Sequence, residues 1–391
     1  MIINDVRALA YTTTIDWVRP IAGADNIELV GIGGWTCIAK IGEFKQGDIC
    51  VYFEIDSKLP EDKEWCAFLA SKKFKVKTMK LSKFGVVSQG LALPLSAFDI
   101  DIKPEIGQDL TATLGVVYSD AEDNQRKGKG PDKYAKMAQR RPNIFKKRWA
   151  RWLMKREWGR RLMFFLFGRK KDKRGWPAWV KKTDEERIEC MSWLFPSCDI
   201  EWVGTEKIDG TSTTFTMRGY GKKREFYVCS RNVVFDKPDK KCFYDTNVYT
   251  LMAEKYNIES IMDRIMSQYG DLDHLTIQGE TYGNTIQKRD YGVKDEYKFA
   301  AFNIIYGWKD GRVERLNPIQ MTELCEYYSI PAVPVLFTGY KLPATCAEVK
   351  EITGGPSMID GGMREGIVFR SMDGVHSFKS VDAEFLMKYH G

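Results

Sequence analysis

Histidine is scarce in this chain: His274, His376 and His390 are the whole supply among 391 residues. That argues against hydrolysis built on histidine bases and against imidazole-rich metal sites. No apolar run approaches the ~20 residues that a membrane-spanning helix needs. The opening Met1-Ile2-Ile3-Asn4-Asp5 lacks the basic start and apolar stretch of a secretory leader. No C-x-x-C pair occurs among the nine cysteines, which are spread far apart. Neither a disulfide framework nor a zinc ribbon follows, and the thiols read as reduced core residues of a cytoplasmic protein. Internal repeats are missing too. What is there is 43% hydrophobic and 29% charged, enough apolar material for two or three domains with real cores. Any catalysis must rest on lysines and carboxylates.

The net charge of +7 hides an internal split. Residues 126–174 hold 20 Lys and Arg against three acids, Asp132, Glu157 and Asp172, a local +17 that leaves −10 for the rest. A basic block between mildly acidic regions points to a polyanionic partner, nucleic acid first.

Three zones follow from the patterning. Residues 1–105 read as short strands cut by Gly and Asp, as in 27–35, 46–56 and 86–93, and suggest a small OB-like β-barrel. Residues 106–175 form a basic linker or helical arm in which Trp149, Trp152 and Trp158 alternate with Arg and Lys. Arg140, Arg141, Lys146 and Lys147 are its candidate nucleic-acid contacts, since such residues neutralise phosphates while Trp stacks. The plainer reading is an amphipathic linker helix with its aromatic face docked and its charges solvated; membrane-surface binding is a further alternative. Residues 176–391 become mixed α+β, with helices expected over 248–269 and 318–328. Strands are expected at 212–217, 226–229, 274–278, 299–306 and 366–369.

The chemistry concentrates in this last zone. Glu206-Lys207-Ile208-Asp209-Gly210 precedes a Thr/Ser-rich strand. By itself K-x-D-G fits an ordinary surface hairpin. It is followed in order by Ser230-Arg231-Asn232, Gly279-Glu280-Thr281-Tyr282-Gly283, Lys298-Phe299-Ala300-Ala301-Phe302-Asn303, Glu365-Gly366-Ile367-Val368-Phe369 and Ser377-Phe378-Lys379.

In this order and spacing the segments resemble the motifs of the covalent nucleotidyltransferases, the superfamily of ATP-dependent RNA and DNA ligases and mRNA capping enzymes. The closer resemblance is to the Deinococcus-type RNA ligases, in the opening 21–29 and 42–48 segments and in the 176–187 lead-in. It implies an OB domain followed by an ATP-grasp-like nucleotidyltransferase domain of antiparallel sheets with flanking helices, with the basic linker read above lying between them. Only 12 residues follow Lys379, so the OB domain that DNA ligases and capping enzymes carry after this motif has no room here, whereas the first hundred residues can supply one.

The resemblance also implies roles. Lys207 takes AMP from ATP, passes it to an RNA 5′-phosphate, and a 3′-OH then displaces it. Lysine is protonated in water, so Lys207 needs a depressed pKa, from desolvation or from cations such as Lys379 and bound metal. Glu280 and Glu365 hold Mg2+ or Mn2+, and Glu280 also reaches the ribose. Asp209 supports the lysine motif, Glu206 and Arg231 line the nucleotide, Lys379 meets the α-phosphate, and Phe302 stacks on adenine unless Phe299 does. Where superfamily members often carry an acid after that aromatic, this chain has Asn303. The expectation is a monomeric ATP-dependent RNA ligase of the cytoplasm, sealing 3′-OH and 5′-phosphate ends in nick or break repair. Its rivals are a DNA ligase, a GTP-using capping enzyme, and a non-catalytic nucleic-acid-binding protein on the same scaffold.

Overall fold

The computed structural model describes residues 2–3, 6–119 and 175–390, apart from 183, 192–193, 196–198, 236–241, 243, 245 and 284–285. Within 120–174 it describes only 144, 147–154, 156 and 163. The chain forms two compact units: residues 1–116 with 176–391, and residues 117–175.

The amino-terminal part of the larger unit is built from two antiparallel three-stranded sheets. β1 (Ala10–Thr14), β2 (Trp17–Pro20), β3 (Ile27–Ile32), β4 (Trp35–Lys40), β5 (Ile49–Phe53) and β6 (Leu91–Pro94) assort as β6-β5-β1 and β2-β3-β4. Alternation along β4 sends Trp35, Cys37 and Ala39 inward, where they meet Tyr11, Val30, Cys50 and Tyr52. The sequence reading of one strand over 86–93 gives way to two short ones, because Gly90 turns through a φ of 93° between them.

In the smaller unit, α1 (Arg148–Met154) leaves Trp149 and Trp152 exposed and Ala150 buried. Among the described residues no helix is long and apolar enough to cross a membrane. The side chains of Arg140, Arg141 and Lys146 lie outside the described residues; Lys147 is exposed.

The rest of the larger unit carries two further sheets. One uses β7 (Glu186–Arg187), β8 (Glu201–Lys207), β15 (Val335–Lys341), β16 (Gly366–Ser371) and β17 (Ser377–Val381). The other uses β9 (Thr211–Arg218), β10 (Glu225–Ser230), β11 (Val234–Phe235), β12 (Leu272–Gly283), β13 (Tyr297–Trp308) and β14 (Val313–Arg315). Among the described residues their orders are β7-β17-β16-β8-β15 and β11-β10-β9-β12-β13-β14, antiparallel except for β7 beside β17. The second sheet packs on α2 (Val248–Lys255), α3 (Ile258–Gln268) and α4 (Pro318–Tyr328). A single helix over 248–269 was expected, but Asn257 adopts a left-handed φ of 49° and splits it in two. α4 spans its expected range: Asn317 and Gln320 form a reciprocal capping box, and Pro318 sits at the first turn. The first sheet seals its core with Trp202, Phe369 and Phe378, each wholly buried and each stabilising the fold by about 2–3 kcal/mol.

The two sheets meet at one turn. Lys207 is the last residue of β8 and Thr211 the first of β9, so Ile208-Asp209-Gly210 carries the chain from sheet to sheet. Gly210 is required there: a Cβ would fall 2.3 Å from the Thr281 carbonyl oxygen and 2.9 Å from Glu280 Cγ.

Candidate active site

Antiparallel register brings the motifs together. Lys207 pairs with Gly366, which sets Glu365 beside it, and Lys207 Nζ lies 2.6 Å from Glu365 Oε1. Across the turn, Ser212 of β9 pairs with Glu280 of β12. One strand beyond β16, Lys379 pairs in register with Val368 on one side and Arg187 on the other. Residues from five separate stretches of sequence thus converge on the crossover.

Asp209 is buried; its backbone N–H donates to Tyr291 Oη at 2.7 Å and its Oδ2 lies 3.0 Å from His390 Nε2. Glu206 points to the opposite face of β8. Its carboxylate accepts hydrogen bonds from Ser357 Oγ (2.5 Å) and the Met358 backbone N–H (2.8 Å), so the side chain braces the 357–358 loop.

The electrostatics divide the site into two poles. Around Lys207 stand three carboxylates. Burial works to lower the Lys207 pKa, but Glu365, Glu280 and Asp209 together raise it above the ordinary lysine value. The depressed pKa expected from the sequence is therefore not present in the free site, because the nearest charges are acids and not cations. Burial in turn lifts Glu280 to about 8, with Lys207 opposing and Glu365 and Asp209 adding to the rise. Burial raises Glu365 as well, and its Oε2 has no hydrogen-bond partner.

The second pole is cationic. Burial lowers Lys379 to about 8, with Arg187 adding to the fall and Asp184 opposing it. Asp184 Oδ1 lies 2.8 Å from Lys379 Nζ, and Asp184 Oδ2 lies 3.0 Å from Arg231 Nη2. Burial alone would raise that carboxyl, but Lys379 and Arg231 hold it at about 2. Arg187 is buried with Nε and Nη1 unpartnered; its Nη2 lies 3.8 Å from Asp56, in the amino-terminal domain. Unpartnered buried guanidinium nitrogens are costly, and they leave Arg187 free to donate to an anion.

The aromatic pair is sorted by burial. Phe299 is wholly buried, edge-on to Phe215 at 5.1 Å. Phe302 is only partly buried and is the extra residue at a β-bulge, between Ala301 paired with Gly279 and Asn303 paired with Gln278. Bulges re-aim side chains, and Arg370 Nη1 fixes this one by donating to the Phe302 carbonyl oxygen at 2.7 Å. Asn303 is buried and donates to Gln278 Oε1.

The carboxylates suit a hard divalent cation. Glu280 and Glu365 are oxygen donors held above their ordinary range by burial, and one Glu365 oxygen lacks a partner. Among the described residues no three acid, histidine or cysteine side chains converge to encircle a metal. Glu280 and Glu365 would hold such an ion through few protein ligands, which suits Mg2+ because it usually keeps several waters.

Sequence reasoning missed Asp184, Arg187, Tyr291 and His390. Asp184 and Arg187 sit inside the 176–187 segment that was singled out without roles for its members. Tyr291 and His390 carry no local signal, since only the fold brings them to Asp209.

Such a site, a lysine between carboxylates at a sheet-to-sheet turn with a second lysine opposite, defines a covalent nucleotidyltransferase. The comparisons make it specific. Residues 200–390 match the RNA ligase family model and residues 9–95 an OB-fold domain model; the chain thus carries an RNA ligase domain with an OB-fold domain ahead of it. Solved structures of the Naegleria gruberi RNA ligase are similar along the whole length. One with pyrophosphate has a TM-score of 0.74 at 26% identity, covering 98% of this chain and 99% of that one. A lysine-to-alanine variant with ATP and manganese gives 0.72 at 25%, over 98% and 99%. A glutamate-to-alanine variant with the same ligands gives 0.73 at 26%, over 98% and 100%. No curated protein sequence matches the chain.

Proposed function

We propose that this RNA ligase uses ATP to adenylate Lys207 and seals RNA 3′-OH and 5′-phosphate ends through an adenylylated RNA. The observation that carries the reading is the 2.6 Å Lys207–Glu365 pair at the sheet crossover, with Glu280 close by and Lys379 on the same sheet. Lys207 Nζ loses a proton, for which Glu365 Oε1 is the nearest base, and attacks the α-phosphorus as the bond to pyrophosphate breaks. Lys379, Arg187 and Arg231 supply positive charge for the phosphates. Phe302 offers its face to adenine, and Gly210 lets the backbone close on Glu280. Glu280 and Glu365 would hold Mg2+ or Mn2+, which supplies charge neutralisation at the triphosphate. The ATP, AMP and manganese held by the Naegleria structures support the use of ATP and a divalent cation.

The substrate we infer is a nicked or broken duplex in which RNA provides the 3′-OH. The positive charge of the 126–174 sequence suits its phosphates, and exposed Trp149 and Trp152 suit its bases. We place the ligase in the reducing cytoplasm, working as a monomer; the eight described cysteines are free thiols.

The test is a pulse and chase. Protein stripped of bound AMP is labelled with α-32P-ATP, metal and pyrophosphatase, then given a nicked duplex with a 5′-phosphate. The label is expected to move from protein to the 5′ end and to leave as AMP when the strand is sealed. Labelling by GTP alone, or a label that RNA never discharges, would contradict the reading.

A further inference from the structure

Residues 382–390 form a strap that begins behind one carboxylate of the site and ends on another. Asp382 N–H donates to the Glu365 carbonyl oxygen at 2.9 Å, and the Asp382 side chain caps the turn by accepting from Glu384 N–H at 3.0 Å. Phe385 is wholly buried and its ring lies 4.6 Å from that of Tyr389. Leu386 packs against the OB-fold core. Lys77 of the OB-fold domain donates to the His390 carbonyl oxygen at 3.1 Å. The strap is therefore fixed at its start, at its middle and at its far end.

What it delivers is one imidazole. His390 Nε2 stands 3.0 Å from Asp209 Oδ2, with the histidine exposed on its outer side and the aspartate 7% exposed. Among the described residues no other side chain donates a hydrogen bond to the Asp209 carboxylate. A buried carboxylate needs such a partner and turns toward the next available donor when it is taken away. The next donor here is Lys207, two residues earlier, near enough for Asp209 to contribute to its raised pKa. Glu365 already holds that ammonium at 2.6 Å. A second carboxylate closing on Lys207 would pull the nucleophile from its place.

We propose that His390 is a positioning residue of the adenylation site: it holds the Asp209 carboxylate away from Lys207, so that the nucleophile is paired with Glu365 alone. The inference rests on the reading of Lys207 as the adenylated residue.

The experiment compares His390→Ala and His390→Gln with the wild-type protein, measuring kcat and KM for AMP attachment and the melting temperature of each. His390→Ala is expected to slow attachment about tenfold or more, the scale of a lost hydrogen bond to a charged group, with KM for ATP and melting temperature unchanged. His390→Gln, whose amide can still donate to Asp209, is expected to recover most of the rate. Wild-type rates for His390→Ala would overturn the proposal. So would a glutamine variant as slow as the alanine variant, a change confined to KM, or losses that follow melting temperature in both variants. Failure of the wild-type protein to label at all would instead refute the lysyl-adenylate reading, and this inference with it.

Discussion

Lys207 and Lys379 stand on strands of one sheet with β16 between them, the first 26% and the second 16% exposed. Burial pushes both pKa values down, yet they end on opposite sides of the ordinary lysine value. Lys207 faces Glu365, Glu280 and Asp209 and is raised; Lys379 faces Arg187 as well as Asp184 and falls to about 8. Desolvation sets the stakes and the neighbours set the sign. The free site therefore holds Lys207, the proposed nucleophile, in a protonated, paired state, and gathers its positive charge at the opposite pole, where we place the triphosphate. Substrate and cation must change the balance around Lys207 before it can react.

Removing the nucleophile breaks the comparison most completely. Lys207→Ala is expected to lower AMP attachment by roughly 10⁴-fold or more, read as label on a denaturing gel, and detectable attachment would overturn the assignment. Next comes the carboxylate pole. Glu365→Gln should shift the apparent pKa of Lys207 downward, seen in the pH dependence of its acylation by an amine-reactive probe. It should also cut adenylation by about 100-fold through the lost cation ligand and base. A faster enzyme would mean that Glu365 only restrains the lysine.

At the opposite pole, Lys379→Met should cost a further 10- to 100-fold, of order, while Lys379→Arg retains part of the rate because charge survives. Equal losses in both would show that shape and not charge matters there. The smallest effect concerns stability. The folded Asp184 carboxyl titrates at about 2 against an ordinary 3.8, so its stabilising contribution is complete above about pH 4 and is lost as pH falls toward 2. Asp184→Asn should flatten that acid limb in denaturant melts while leaving Lys379 without its carboxylate. An unchanged acid limb would contradict the pairing.

The sequence carried the sheet-bound half of this site well. Lys207, Glu280, Glu365 and Lys379 each sit beside a glycine or within a strand of recognisable pattern, and strand register alone brings them together. α4 was legible because its cap and its first-turn proline are local. The split at Asn257 was not, because a left-handed asparagine inside an otherwise helical pattern leaves no clear mark. The roles of Asp184, Arg187 and His390 stayed hidden for a different reason: each depends on a partner far away in sequence, 195 positions for Asp184 with Lys379 and 181 for His390 with Asp209. Glu206 shows the converse, a residue inside the motif whose side chain turns away to brace Ser357 and Met358.

The central claim, that Lys207 is the residue that carries AMP, has a direct test. Protein incubated with ATP and a divalent cation, quenched and digested under conditions that preserve phosphoramidates, is mapped by mass spectrometry. The account predicts an adenylyl group on Lys207 and none on Lys379, although Lys379 is the more readily deprotonated of the two. An adenylyl group on Lys379, or on any residue other than Lys207, would contradict it.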